Sequence, residues 1–432
     1  METKTVVLSA DERAWLNGEG TEGQRLAMAM VLRMAEVLQA PRLLPIRAAH
    51  IDGCTYQGQA VVDFAEWMRA AGARVSVPTT MNAISLEWGP GGRRLPAEWE
   101  DPARRIADAY LAMGARATFT CAPYDTSDLD GLTLGDDVAF GESNVIGFAN
   151  SVRGLRTERY GDFFDIAAAV SGRVPAVGLH LPENRRAVRR VRLAPDVPKW
   201  LAVEDQFWPT LGYVVGKMAA DQVVAVEGLE DSGPSASRDR LKAFYASAAS
   251  SGAVALAHLV GLTPEARTLD DAFGGRPPEA VEWVGAADLK GARRELSTLR
   301  EGDAVDVVAL GSPHFSPDEF RVLAELVRGR RRARSTRVVI TTGHVQREVA
   351  KEQGTLEAVL AFGAEVVLDT CILLAPLLPP GTRTLVTNSG KYAHYAPGLL
   401  GVTVGWQSLR GAVKTAVAGS LERDPEGDGW WT

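Results

Sequence analysis

The sequence predicts an α/β fold of several lobes built on parallel sheets. Three observations carry this. Short apolar runs alternate along the chain with amphipathic stretches, the pattern of βαβ units. Polar and reactive residues recur where the apolar runs stop. The chain has 432 residues, of which 46% are hydrophobic and 23% charged, enough for two or three such units in an ordinary globular protein.

The elements follow in order. Ser9, with Glu12 three residues on, is a capping box that opens a helix running through Gln24 to Leu38. A strand at Leu43 to Ile46 leads into "AAHIDGCTYQG". A helix covers Gln59 to Ala71, and Arg74 to Val77 is a short strand ending at "PTTMNA". Ile106 to Met113 reads as helix, and "ARATFTCAPY" as strand then loop. "RVPAVGLHLPEN", "GAVALAHLVGLTPEA" and "DVVALGSPHFS" repeat that form, and "SPDEFRVLAELVRG" is a helix. "RVVITTGH", "AEVVLDTC" and "TRTLVTNSG" complete the series. Right-handed crossovers put the carboxyl ends of such strands on one edge, where open α/β sheets bind ligands. His50, Asn82, Cys121, His180, His258, His314, His344, Cys371 and Asn388 all fall there. Glu230 to Arg240, "EDSGPSASRDR", is the most linker-like segment. Gly89 to Arg94 and Leu378 to Arg383 read as exposed turns.

Composition narrows the function. A net charge of -7 argues against general nucleic-acid binding. Two Arg clusters, Arg185 to Arg192 and Arg328 to Arg337, read first as solvated faces, and second as anion or subunit contacts. No apolar run reaches the ~18 residues of a membrane span, and the N-terminus lacks a signal-peptide layout. Three cysteines make a disulfide framework improbable and suggest a reducing, cytoplasmic setting. There is no Walker A, no GxGxxG between strand and helix, and no GxSxG.

The chemistry-bearing candidates are few. Cys54, Cys121 and Cys371 each sit at a strand exit, with no CxxC pair, so each is either a small buried hydrophobe or a thiolate converging from separate strands. "GESNVIGFANSVRGLRTE" is dense in hydrogen-bonding residues, among them Asn150, Ser151, Arg153 and Arg156. An Arg suits bidentate carboxylate or phosphate recognition. In "TNSGKYAHYAPG", Asn388, Ser389 and Gly390 read either as a plain β-turn or as a turn whose amides face an anion beside Lys391.

These segments, in this order, resemble the large subunit of the aconitase X family. The matching stretches are "GEGTEGQRLAMAM", "AAHIDGCTYQG", "VPTTMNA", "TCAPY", "GESNVIGFANSVRGLRTE", "GRVPAVGLHLPENR", "GYVVGKMAADQV", "SSGAVALAHLVGLTPEA", "VALGSPH", "LDTC" and "TNSGKYAHYAPG", spanning about Leu8 to Gly419. The resemblance implies an aconitase-like fold without the small swivel domain, which a small partner subunit would supply. It implies a first α/β lobe over residues 1–200 with cluster and substrate loops, a middle lobe over 201–300, and a C-terminal lobe over 301–432 completing the site.

The resemblance also implies an iron–sulfur hydro-lyase of a small hydroxy acid. The activity would be most like cis-3-hydroxy-L-proline dehydration, with mevalonate 5-phosphate dehydration or an aconitase-type isomerisation as alternatives. A cluster-free homologue with a binding role is the non-enzymatic alternative. Cys54, Cys121 and Cys371 are the expected cluster ligands, for a 2Fe-2S cluster ahead of a 3Fe or 4Fe-4S one. Ser312 stands where relatives with a cubane cluster often read Cys, and serine is a poor ligand for soft iron–sulfur centres. Ser389, Lys391 and Ser151 are the expected catalytic residues. His50, Asn82, Asn150, Ser151, Arg156, His314 and Lys391 are expected to bind substrate. Asn144 and Glu158 depart from the usual family residues, and an added carboxylate there disfavours a phosphate.

Overall fold

Ser9 does open a helix. Its hydroxyl accepts from Glu12 N while Glu12 accepts from Ser9 N, but the helix ends at Leu16. Gly18, at φ +92°, turns the chain, and a second capping box, Thr21 with Gln24, starts a separate helix, Glu22–Val37. The sequence predicts one helix here because the apolar spacing continues across the break. The structure, a computed structural model, describes residues 5–89, 91–423 and 429–431. Pro90, within the expected turn at Gly89 to Arg94, lies outside them.

The chain divides into two compact units, one ending at Arg186 and one beginning at Ala187. In the first, β1 (Leu43–Pro45), β2 (Ala49–Ile51), β3 (Thr79–Met81), β4 (Ala139–Phe140) and β5 (Arg173–Pro175) form two small sheets. The sheet β3-β2-β4 is parallel, while β1 and β5 pair antiparallel. The strand expected from Arg74 forms five residues later, from Thr79, just past Pro78, which has no N–H to give a ladder. "ARATFTCAPY" contributes a single bridge, Thr80 to Arg116, because Phe119 at φ +42° breaks the extended run. Ile51, Val62, Met81, Ile106 and Val170 pack into one core, on which the helix Phe164–Ser171 is wholly buried.

The second unit carries two parallel sheets. β6 (Arg189–Leu193), β7 (Val224–Glu227), β8 (Ala257–Leu259) and β9 (Ala280–Val284) lie in the order β8-β7-β6-β9. β10 (Val307–Leu310), β11 (Arg337–Thr342), β12 (Glu365–Leu368), β13 (Thr384–Thr387) and β14 (Thr403–Trp406) lie in the order β12-β11-β10-β13-β14. Val308, Leu310, Ile340 and Val386 meet Phe320, Leu323 and Val413 of the covering helices. The Arg clusters are partly tied, while Arg328, Arg330, Arg331 and Arg334 lie on the surface. Arg190 and Arg192 share Glu227, Arg337 pairs with Glu365, and Arg332 donates to the carbonyls of Gly363 and Thr336.

Candidate active site

In the first unit the candidate residues gather at the carboxyl ends of β2, β3 and β4. His50 is fully buried on β2, its Nδ1 joined to Thr80 Oγ1 at 2.8 Å. Burial holds it neutral, its pKa lowered to about 3, with Asn82 pulling the other way. Asn82 also donates from Nδ2 to Asp52 Oδ1. Asp165 clamps the loop after β2, accepting from Asp52 N at 2.7 Å and Gly53 N at 2.9 Å. Burial, then the charges of Glu142 and Asp162, pushes the Asp52 carboxyl up, and burial lifts Asp165 to about 6. Gly141 lets this packing close, since a Cβ there would stand 2.9 Å from Asp52 Cβ. Glu142 then N-caps the helix Ser143–Ser151, accepting from Asn144 N and Val145 N.

That helix orders the dense segment. Asn150 is wholly buried and its amide is committed: Nδ2 donates to Thr157 O, and Oδ1 accepts from Thr157 N and Arg185 Nη1. Its role in the fold is to hold Arg185. Ser151 is buried at the end of the helix. Arg156 differs, because its Nε is buried with no hydrogen-bond partner. Glu158 is engaged locally, accepting from Leu179 N. His180, at another strand exit, sits between Asp137, which accepts from its Nδ1 at 2.7 Å, and Tyr160 at 2.5 Å.

Cys54 and Cys121 are buried and outside any disulfide, on neighbouring exits of this unit. Main-chain bonds from Asn82 N to Ile51 O and from Thr120 N to Met81 O set those exits side by side. Cys54 Sγ donates weakly to Ile51 O and Asn82 O, and burial pushes its pKa well up.

In the second unit a cleft of about 340 Å³ opens beyond the carboxyl ends of β10, β13 and β14. Gly311, Ser312 and Pro313 follow β10 into it, and Asn388, Ser389 and Lys391 follow β13. Ser389 caps the helix Gly390–Leu400, accepting from Tyr392 N at 3.1 Å and donating to Ser312 O. The helix N-terminus therefore faces the cleft beside an ammonium, an arrangement that suits a carboxylate. Gly311 is at φ +96°, where a Cβ would lie 2.1 Å from Thr341 O, so only glycine permits this corner.

Sequence reasoning missed the other wall. The linker-like segment supplies Ser237, Arg238, Asp239 and Arg240 to the cleft, because its second half is the first turn of the helix Arg238–Ser251. Lys242 on that helix is 2% exposed, bonded to Asp239 at 3.0 Å, Glu319 at 2.7 Å and His314 O at 3.1 Å. Burial, only partly offset by Lys242, pushes Glu319 up to about 7. At Asp239 burial is the largest single influence and pushes upward, but the charge of Lys242 together with hydrogen bonds from Ser316 and Lys242 outweighs it and the pKa falls. The available signals were the pair Asp239 and Lys242 at i,i+3 and the box Ser316 with Glu319. His314 does not line the cleft: it is wholly buried, and its Nε2 donates to Thr370 O, one residue before Cys371. Cys371 is a buried free thiol, its pKa raised by burial and eased by neighbours that include Lys391.

Sequence comparison agrees with this layout. The aconitase X first-domain model matches residues 5–183, the second-domain model 188–294 and the third-domain model 305–418. The chain belongs to the aconitase X family. Among its aconitase X relatives, cis-3-hydroxy-L-proline dehydratase of Pseudomonas aeruginosa is 47% identical over 429 residues, covering 98% of this chain and 72% of that protein. The phosphomevalonate dehydratase large subunit of Methanothermobacter thermautotrophicus is 36% identical, covering 92% of this chain and 95% of that one. The crystal structure of Thermococcus kodakaraensis aconitase X in its holo-form superposes with a TM-score of 0.83 at 30% identity, over 95% of this chain and 100% of that one. This aconitase X chain is thus a member of a family of dehydratases. Among the described residues no helix is long and apolar enough to cross a membrane.

Proposed function

We propose that this chain is the large subunit of an iron–sulfur-dependent dehydratase that removes water from a small hydroxy acid, with cis-3-hydroxy-L-proline as substrate. The observation that carries the reaction class is the cleft at the strand ends, lined by Lys391 and by the helix N-terminus that Ser389 caps, a setting that suits a carboxylate. The likeness to cis-3-hydroxy-L-proline dehydratase supports the substrate.

The donor set fits a cluster in kind. All three cysteines are buried, outside any disulfide and at strand exits, and soft thiolates are what iron–sulfur centres take. Cys54, Cys121 and Cys371 would hold it, as 2Fe-2S, while Ser312 would not. Among the described residues no three His, Cys, Asp or Glu side chains stand gathered as a metal site, the three cysteines included. When bound, the cluster supplies Lewis acidity toward a departing hydroxyl. The chain's own residues bind and orient. Lys391 takes the carboxylate beside the helix N-terminus that Ser389 caps, and Arg156, with its spare Nε, is assigned to substrate as well. Ser151, His50 and Asn82, buried at the strand ends of the first unit, are the further residues assigned to substrate. The proton-abstracting base is assigned to a small partner subunit. Support comes from the phosphomevalonate dehydratase relative, which is named as a large subunit.

The mevalonate 5-phosphate reading has one observation in its favour, the Arg238, Arg240 and Arg321 that line the cleft beside Lys391. One assay separates the two. The chain is purified without oxygen, alone and with the product of an adjacent reading frame of roughly 130 residues, a single-domain size. Loss of water from cis-3-hydroxy-L-proline is expected only from the pair. Turnover of mevalonate 5-phosphate instead would overturn the substrate, and full turnover by the chain alone would overturn the partner. Iron and sulfide should fall in Cys54→Ala, Cys121→Ala and Cys371→Ala, and persist in Ser312→Ala.

A further inference from the structure

Asp165 is wholly buried in the first unit. Among the described residues its hydrogen bonds go to main-chain amides alone. Oδ1 accepts from Ile166 N at 2.6 Å, in the first turn of its own helix, Phe164–Ser171. Oδ2 accepts from Asp52 N at 2.7 Å and Gly53 N at 2.9 Å, 113 and 112 residues back along the chain. Serving its own helix takes one oxygen. The other is spent on the loop after β2, and bonds from amides to a carboxylate are the stronger, charge-assisted kind.

That loop carries Cys54. Cys54 N donates to Asp52 O at 2.7 Å, closing a tight turn, and Tyr56 N donates to Ser85 Oγ at 2.8 Å. The amides of residues 52, 53, 54 and 56 are thus all held, the first two by Asp165. The fit is close from both sides. A Cβ on Gly53 would stand 3.3 Å from Phe163 N and 3.4 Å from Asp165 Oδ1. Phe163, just before the helix, sits at φ +72°, with its ring centroid 4.4 Å from that of Phe64. A non-glycine residue stays in that region only where its surroundings over-determine it. Here the strained backbone is the one that delivers Asp165 to the loop.

We propose that Asp165 is a positioning residue for Cys54. It fixes the main chain that carries the thiol and leaves rotation of the side chain as the remaining freedom. In that frame Cys54 Sγ faces Ile51 O at 3.4 Å and Asn82 O at 3.6 Å. A turn about one bond takes the sulfur off both carbonyls while the loop stays in place. A thiol so carried is shielded from reagents, and it is spared the ordering cost that a loose loop would meet on binding a metal. The metal consequence rests on the reading of Cys54 as a cluster ligand; the clamp does not.

The test reads the three cysteines separately. The full chain is treated with a chelator, so that no bound iron shields a thiol, and iodoacetamide labelling is followed peptide by peptide. Asp165→Asn removes the charge and turns one acceptor into a donor. It should raise the labelling rate of Cys54 by about tenfold or more, with Cys121 and Cys371 left near the rates of the unaltered chain. Gly53→Ala keeps Asp165 but crowds the loop off it, and should also free Cys54 alone, which tests the clamp if Asp165→Asn does not fold. Val170→Ala opens a core cavity on the same helix and should raise Cys54 and Cys121 together. Cys54 unmoved in the folded variants, or rising only in step with Cys121, overturns the proposal. Iron and sulfide, measured before chelation, should fall with the clamp. Cys54 freed with iron retained removes Cys54 from the ligand set and leaves the clamp standing. Iron lost with Cys54 still shielded overturns the clamp.

Discussion

Lys242 Nζ donates to the main-chain carbonyl of His314 across 3.1 Å. The ammonium is thus a strut beneath the corner that follows β10, not a free charge in the cleft. The same corner is held twice more. Thr341 Oγ1 donates to Gly311 O at 2.8 Å, and Ser389 Oγ donates to Ser312 O. Three carbonyls of one short loop are therefore fixed by side chains from a helix, a strand and a helix cap.

Removing the strut should be costly. Lys242→Met leaves Glu319 and Asp239 facing each other without a cation, and breaking a buried pair from one side costs about 3–5 kcal/mol. Urea unfolding of the single variant and of Lys242→Met with Glu319→Gln measures this. The double variant is expected to regain part of the loss. A single-variant loss within error of zero would show that the network carries no stability.

Gly311→Ala should destabilise more than an ordinary glycine substitution. The new Cβ meets Thr341 O at 2.1 Å on a backbone at φ +96°. Gly401, at φ +66°, has open space around it, so Gly401→Ala carries only left-handed strain of about 1–2 kcal/mol. Denaturant midpoints should place Gly311→Ala clearly below Gly401→Ala, and the reverse order would contradict the corner's geometry.

His314 sets a pH dependence. Burial lowers its pKa from 6.5 to about 4, with Thr370 O opposing and Lys242 and Lys391 adding to the fall. Between those values the unfolded chain binds a proton that the folded chain does not. Stability from this group is present above about 6.5 and is lost as pH falls toward 4, by roughly 1.4 kcal/mol per pH unit at most. His314→Gln should flatten the stability profile in that window relative to the unaltered chain. Glu319, raised to about 7, acts in the opposite sense in both proteins and cancels from the difference. Imidazole resonances should show His314 neutral at pH 6. His344 should titrate above the usual histidine range, since it bonds Asp369 at 2.9 Å.

Ser389 and Lys391 should separate by their kinetics. Ser389→Ala removes a helix cap as well as the Ser312 contact, and should cost about 0.5–2 kcal/mol of stability. Lys391→Gln touches no cap. It should leave the melting temperature near that of the unaltered chain while raising KM for the hydroxy acid by about tenfold or more. An unchanged KM in both variants would remove the carboxylate from this end of the cleft.

Much of this was legible in the sequence. Alternation of apolar runs and amphipathic stretches gave the strands β1, β10, β11 and β13 but passed over β2 as loop, and strand-end polarity led to Ser312, Ser389 and Lys391, which do share one cleft. Sequence order hid what depends on contact. Asn150 looks like a binding residue in a polar segment, yet Arg185, 35 positions away, consumes its amide. His314 stands beside Ser312 in the chain and still turns inward to Thr370. Lys242 sits in a helix of mixed composition, and nothing in its neighbours announces a buried charge. The segment Glu230 to Arg240 shows the opposite error: glycine, proline and serine read as a tether, but its last residues begin a helix and wall the cleft.

The corner after β10 also bears on how such proteins diversify. Its shape is held by carbonyls, which every residue has, and not by the side chain of Ser312. A mutation at position 312 can therefore change which chemical group enters the cleft while the loop keeps its course. The scaffold separates the inheritance of form from the inheritance of reactivity at a single residue, so lineages can trade one for another there without rebuilding the wall.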